Sequence, residues 1–302
     1  MTMPNFLVIG AAKCGTDSLC NYLGQHPQIY ISPSREPNFF VAEGQPEIPY
    51  TGPGDRLALD SMWVSALDRY ESLFAGVTNE KAIGEGTAWY IYYEDAPQRI
   101  RRHVPQAKLI VVLRNPVDRA YSAYTMLLRD GRETIGDFAR ALDAEDERTR
   151  RNWEPIWHYT KMGFYTHQLK RYYSTFEPSQ LQVIVYDDFS VQPAKVVKDV
   201  YRFLEVDDQF TPDTSTRYNV SLVPKHIGVH ALVAGEHPAK TAAKALLPVR
   251  IRQAMKQRVV ERNLMRPVPM DAEVRQRLVT LFRADILELQ EMIGRDLSHW
   301  LQ

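Results

Sequence analysis

Five short apolar runs punctuate the first two-thirds of the chain, at residues 6–9, 28–31, 82–85, 108–113 and 181–186. Between them, apolar residues recur every three to four positions, the spacing of a helix with one buried face. This spacing predicts helices from Thr16 onward and over 63–74, 96–103, 163–176 and 194–204. A helix that begins at Pro116, where proline suits the first turn, should run to about Arg129. Residues 137–151 carry many charges of both signs and read as a solvated helix. Strands thus alternate with helices. The run Lys108-Leu-Ile-Val-Val-Leu113 is apolar throughout, as in a parallel strand covered on both faces. The expected fold is α/β, a single domain over residues 1–302 with a central parallel sheet flanked by helices. Its α/β core covers about 5–205. Residues 43–55, crowded with Pro and Gly, and 207–225 read as loops, the former beside a substrate entrance or a plain surface insertion. A helical C-terminal part, about 226–302, carries helices at about 239–262 and 271–293. The first of these is strongly basic, a solvated face or a contact for an acidic substrate, membrane surface or partner. No internal repeat or low-complexity segment interrupts this order.

Bulk composition narrows the function classes. Lys plus Arg equals Asp plus Glu at 37 each, so no global basic charge points to nucleic acid. No apolar run is long enough to span a bilayer. The chain enters a strand almost at its start, which leaves no room for a signal peptide, and a cytoplasmic setting is expected. Cys14 and Cys20 form neither a disulfide framework nor a metal motif, so no metal is expected. Oligomeric state is not readable from these features.

Chemistry concentrates where the first run ends, in Gly10-Ala-Ala-Lys-Cys-Gly-Thr-Asp-Ser18. Strand, glycine-bounded loop and helix start aim several backbone N–H groups and a helix dipole at one point, which makes an anion site. The glycine spacing is that of a P-loop, but Thr16 holds the position of its lysine, and Lys13 lies inside the loop instead. Arg114 lies just past a buried strand, where open α/β sheets place ligands, and Ser122 follows two turns into the next helix. Arg offers a planar fork of donors and Ser a hydroxyl, both suited to phosphate. Glu85, at the end of another strand, is a candidate general base. Tyr186 ends the last strand and is a candidate for stacking on a base. Each residue also has a plain structural use: a tight turn, an ion pair, a helix cap or an aromatic packed at a sheet edge.

Taken together, the Lys13 loop, Arg114-Asn-Pro through Ser122, and the strand ending Tyr186-Asp-Asp resemble a sulfotransferase of the heparan-type and related bacterial branch. The resemblance runs from about residue 5 to 205. It implies 3′-phosphoadenosine 5′-phosphosulfate as co-substrate and sulfuryl transfer to a hydroxyl, less readily an amine, of a carbohydrate or small-molecule acceptor. It further implies that Lys13, Cys14, Gly15, Thr16, Asp17 and Ser18 hold the 5′-phosphosulfate. Arg114 and Ser122 would hold the 3′-phosphate, and Tyr186 would lie near the adenine. Lys13 would stabilise charge on the leaving bridging oxygen, with Glu85 as the base. The chain departs from the pattern at Asp17, expected to cap the helix facing away from the ligand, and at Gly86. It also lacks the usual Lys-Gly closure, for which Lys225 and His226 are the nearest candidates. Trp89, Tyr90, Tyr92, Tyr93, Trp153 and Trp157 are candidate acceptor-pocket aromatics. Two rival readings are a P-loop nucleotide kinase and a non-catalytic nucleotide-binding protein on the same fold.

Overall fold

The computed structural model describes residues 2–34, 36–215, 223–225, 263–265 and 268–302. Five strands, β1 (Phe6–Gly10), β2 (Ile29–Ile31), β3 (Ala82–Gly86), β4 (Lys108–Leu113) and β5 (Leu181–Val185), form one sheet. Its order is β2-β3-β1-β4-β5, and every pairing is parallel. Residues 6–9 and 109–113 are sealed from solvent, as expected for central strands covered on both faces. Because β3 pairs on one side of β1 and β4 on the other, the topology switches direction at β1. Open α/β sheets place their ligand crevice outside the carboxyl ends of the strands at such a switch.

Helices α1 (Thr16–Leu23), α2 (Phe39–Ala42), α3 (Asp55–Leu59), α4 (Leu67–Ser72), α5 (Ala96–His103) and α6 (Pro116–Arg129) precede β5 with α7 (Phe138–Asp143), α8 (Glu145–Arg150) and α9 (Tyr165–Tyr173). After β5 come α10 (Tyr186–Val191), α11 (Pro193–Phe203) and α12 (Ala272–Ile293). Two short strands, β6 (Val223–Pro224) and β7 (Leu264–Met265), pair antiparallel. The helix expected at 239–262 lies outside the described residues. Among those described, no helix is long and apolar enough to cross a membrane.

Three elements differ from their sequence expectations, each because tertiary contacts outweigh local pattern. The helix expected over 63–74 is confined to α4. The Trp63 indole N–H donates to the Gln45 carbonyl (2.7 Å) and Val64 N–H to the Pro37 carbonyl (3.0 Å), which holds that stretch extended. The charged segment 137–151 breaks into α7 and α8 and is not merely solvated. Glu145 and Arg148 are buried, Glu145 accepting the Thr160 and Lys161 N–H groups and Arg148 pairing with Glu133 at 2.8 Å. Tyr186 opens α10 and does not end the strand.

The late elements brace the early ones. Asp285 of α12 accepts the Tyr165 and Thr166 N–H groups at the start of α9 (2.9 and 3.2 Å). The Trp300 indole N–H reaches the Asp187 carboxylate at 2.9 Å, and Arg295 pairs with Asp188 at 2.6 Å, fixing the start of α10.

Candidate active site

The loop between β1 and α1 takes a shape that its sequence permits at few positions. Gly15 has φ 92°, a left-handed conformation that favours glycine, and a Cβ there would stand 3.1 Å from the Tyr186 ring, close enough that the ring would have to shift. Lys13 also lies in the left-handed region, at φ 71°. The Ala11 N–H bonds the Val112 carbonyl at 2.8 Å and ties the loop to β4. Gly15 precedes α1 without a side-chain cap. First-turn N–H groups have no carbonyl four residues back within their helix, and the helix dipole adds partial positive charge at that end.

A cavity of about 710 Å³ opens over this loop. Lys13, Gly15, Thr16 and Ser18 line it from the loop, and Arg114, Ser122 and Tyr186 from the β4 and β5 side. The sequence-predicted anion-binding residues are therefore brought together, with three exceptions. Cys14 is wholly buried, its thiol among Ala12 and Tyr165 and pushed up in pKa by that burial. Its N–H is already bonded to the Ala11 carbonyl (3.1 Å), so Cys14 supports the loop from beneath and offers the cavity no group. Two smaller cavities, about 350 and 410 Å³, share Asp17 and Glu36 with the large one; Lys225 is exposed and lines none of the three, its N–H bonded to the Asn263 carbonyl at 2.6 Å. His226 lies outside the described residues.

At the cationic end, the Arg114 guanidinium lies 4.9 Å over the Tyr186 ring and donates to the Lys13 carbonyl at 3.4 Å. The two candidate recognition elements are thus stacked on each other, a cation on an aromatic face. Ser122 is nearly buried on the inner face of α6, not on the surface. The Lys13 ammonium lies 3.0 Å from the Met126 sulfur, and burial, with Arg129 nearby, lowers its pKa. A bound anion would reverse that shift, because a negative neighbour favours the charged form.

Glu85 departs from its expected role as base. It is fully buried on β3 and lines none of the three cavities. Its carboxyl oxygens accept the hydroxyls of Tyr90 (2.8 Å), Thr87 (2.8 Å) and Tyr70 (3.2 Å). Burial pushes its pKa up to about 7 despite these three donors. In this structure the carboxyl faces these three hydroxyls and not the cavities. It anchors neighbouring chain instead: the Thr87 hydroxyl that donates to it also receives the Asn38 N–H at 3.4 Å.

Four carboxylate residues, Asp17, Glu36, Asp130 and Glu154, line the large cavity, and of these Glu36, like Asp17, also lines the two smaller ones. Glu36 lies beyond the carboxyl end of β2, in a turn where Glu36 and Asn38 have φ 46° and 56°. The Asn38 side-chain amide pins that turn through the Glu36 carbonyl (2.6 Å). Non-glycine residues held left-handed persist only where surroundings over-determine them, and they cluster at functional sites. The sequence carried a signal for Glu36: it lies beyond the carboxyl end of the run at 28–31, just as Glu85 and Arg114 lie at their strand ends. Asp17 lines the same cavities, so it faces the site and does not turn away from it.

Of the aromatics expected around an acceptor, Trp89 lines the large cavity, with Met62 and Ile156. Tyr90 is tied to Glu85, Tyr92 to His158 and Tyr93 to Tyr50. Trp153 and Trp157 pack together under Arg148. Beside them, Arg132 bridges Asp55 and Glu154, and Asp55 also accepts the Trp157 indole N–H. This buried node holds the Pro- and Gly-rich loop against the cavity wall. Among the described residues, no group of three His, Cys, Asp or Glu side chains is placed to hold a metal ion.

The pattern of the sulfotransferase family matches residues 4–212. A mouse protein named bifunctional heparan sulfate N-deacetylase/N-sulfotransferase 3 is 27% identical over 310 residues, covering 99% of this chain and 31% of that protein. A human protein named heparan sulfate glucosamine 3-O-sulfotransferase 6 is 30% identical over 205 residues, covering 67% of this chain and 52% of that one. The chain thus spans about a third of the first relative's length and about half of the second's. A solved sulfotransferase from Alicyclobacillus acidocaldarius is similar over 100% of both chains, with 36% identity and a TM-score of 0.79. With the family pattern running from before β1 to beyond α11, and a whole-chain structural relative, the chain belongs to the sulfotransferase family.

Proposed function

We propose that the chain moves a sulfuryl group from 3′-phosphoadenosine 5′-phosphosulfate to a hydroxyl, less readily an amine, of a carbohydrate or small-molecule acceptor. The observation that carries this reading is one cavity lined at one side by Lys13, the start of α1, Arg114, Ser122 and Tyr186, and at the other by Glu36 and Trp89. The donor set fits the co-substrate's chemistry. A glycine-shaped loop and a helix start suit its phosphosulfate, Arg114 and Ser122 its second phosphate, and the Tyr186 ring its base. Because relatives are named as a heparan sulfate N-sulfotransferase and a glucosamine 3-O-sulfotransferase, a sugar amine and a sugar hydroxyl are the acceptors to try first.

Glu36 takes the base role that the sequence assigned to Glu85. The acceptor oxygen attacks sulfur, the bond from sulfur to the bridging oxygen breaks, and the bonding pair stays on the 5′-phosphate of the departing bisphosphate. The acceptor proton goes to the Glu36 carboxylate. Charge grows on the bridging oxygen, and the Lys13 ammonium at the loop lies where it would meet that charge. The test is transfer of labelled sulfate from the donor across sugar alcohols, sugar amines, phenols and aliphatic alcohols. Turnover with one class supports the reading. Donor binding without transfer to any class would replace it with a nucleotide-binding role on the same fold, and turnover of ATP with a free hydroxyl would make the chain a kinase.

A further inference from the structure

We propose that Trp89 is the residue that orients the Glu36 carboxylate, acting through its indole N–H. This rests on the reading of Glu36 as base. The indole Nε1 donates to Glu36 Oε2 at 3.1 Å, and the adjacent Ala88 N–H donates to Oε1 at 3.3 Å. Two consecutive residues of one turn thus grip both oxygens of one carboxylate. The turn is itself fixed. Thr87 N–H bonds the Val8 carbonyl at 3.0 Å, Ile91 N–H bonds the Ile9 carbonyl at 2.9 Å, and the Tyr172 hydroxyl bonds the Tyr90 carbonyl at 2.8 Å. Trp89 therefore transmits the position of β1, which carries the Lys13 loop, to the carboxylate across the cavity.

Trp89 is also nearly buried and lines the large cavity beside Glu36, so its ring is a wall of the space left for an acceptor. The geometry requires two properties at this position: a flat apolar face toward the cavity and a donor toward Glu36. Phenylalanine keeps the first and loses the second, which separates them. An N–H donated to a carboxylate favours its charged form and lowers its pKa. Its removal therefore both loosens the base and raises the pH at which the base becomes available. Lys13, Glu85 and Glu154 interact electrostatically with Glu36, and Asp17, Asp130, Arg114 and Arg132 line the same cavity; Trp89→Phe leaves all of them in place.

The experiment follows labelled-sulfate transfer to the acceptor class selected above, for wild type, Trp89→Phe, Trp89→His and Glu36→Gln. Affinity for adenosine 3′,5′-bisphosphate is measured alongside by calorimetry. Trp89→Phe should lower kcat about tenfold or more, because a misplaced base loses its near-attack geometry. The acidic limb of its kcat–pH profile should move upward by about one unit. Bisphosphate affinity should be unchanged, and Trp89→His, which restores a ring N–H, should recover part of the loss. A probe independent of turnover and of folding of the variants at position 89 is the Trp89 Nε1–H resonance. In wild type it should shift with pH as Glu36 titrates, and in Glu36→Gln it should not. An inactive Glu36→Gln alongside unchanged kcat and pH profile in Trp89→Phe overturns the orienting role and leaves the base in place. Full turnover in Glu36→Gln overturns the base reading and this inference together.

Discussion

Two acids, Glu36 and Glu85, show what a residue's surroundings decide. Glu36 lies beyond β2 and Glu85 near the end of β3, and only the structure tells which one lines the cavity. Glu85 was legible as a strand-end acid, but burial is a property of neighbours, and Tyr70, Tyr90 and Thr87 reach it from three separate positions in the chain. Its folded pKa of about 7 against an ordinary 4.5 has a thermodynamic sign. Between those values the native state holds a proton that the unfolded chain has lost. The resulting stability is fully present below pH 4.5 and disappears as pH rises through about 7. Its full span is about 3 kcal/mol. Glu154, also raised to about 7, acts in the same direction. His158, lowered to about 4, acts oppositely, adding stability as pH rises from 4 to 6.5. Both cancel in a comparison of wild type with Glu85→Gln. Denaturant titrations should show wild type losing stability relative to Glu85→Gln from about pH 4.5 to 7. A pH-independent difference would mean the carboxyl is ionised throughout. Lys13 was legible by position alone. Lys13→Ala should cut kcat by about 10²-fold or more while weakening bisphosphate binding far less, since its charge matters most when the leaving oxygen forms. A change confined to KM would place Lys13 in ground-state binding.

At the scale of elements, apolar period and proline placement located α5, β4 and α6 to the residue, because local preference and tertiary burial agree there. They disagree at 63–66, where the Val64 N–H goes to the Pro37 carbonyl and the Ser65 carbonyl receives the Gly44 N–H, partners that no short window of sequence contains. The long-range caps were equally hidden. Asp285 closes the start of α9 from about 120 positions downstream. Asp285→Ala should cost about 1–2 kcal/mol, the usual worth of a helix cap, and lower Tm in thermal melts. Its kcat should stay near wild type, because α9 contributes no side chain to the described cavities. Loss of turnover without loss of Tm would show that α12 and α9 act on the site directly.

For the whole molecule, the parallel sheet was readable from the alternation of strands and helices, whereas the direction switch at β1 follows from the strand order, which alternation does not contain. The cavity joins residues from the loop after β1, the turn after β2, the end of β4 and the start of α10, so a ligand there couples distant parts of the chain. Adenosine 3′,5′-bisphosphate at a hundredfold excess over its Kd should add about 2.7 kcal/mol of stability, read as a rise in Tm. Arg114→Ala should remove most of that rise, and an undiminished rise would move the second phosphate away from Arg114. The central place of β1 also bears on how the protein is made. Of the five strands of this sheet β1 comes first in the chain, and it waits with both edges bare for β3 and then β4 to be translated far downstream. During synthesis at about 5–20 residues per second, an unpaired apolar strand remains open to wrong partners for seconds. Nascent chains arrested before β4 should therefore be the aggregation-prone and chaperone-bound species, and those arrested after it should not.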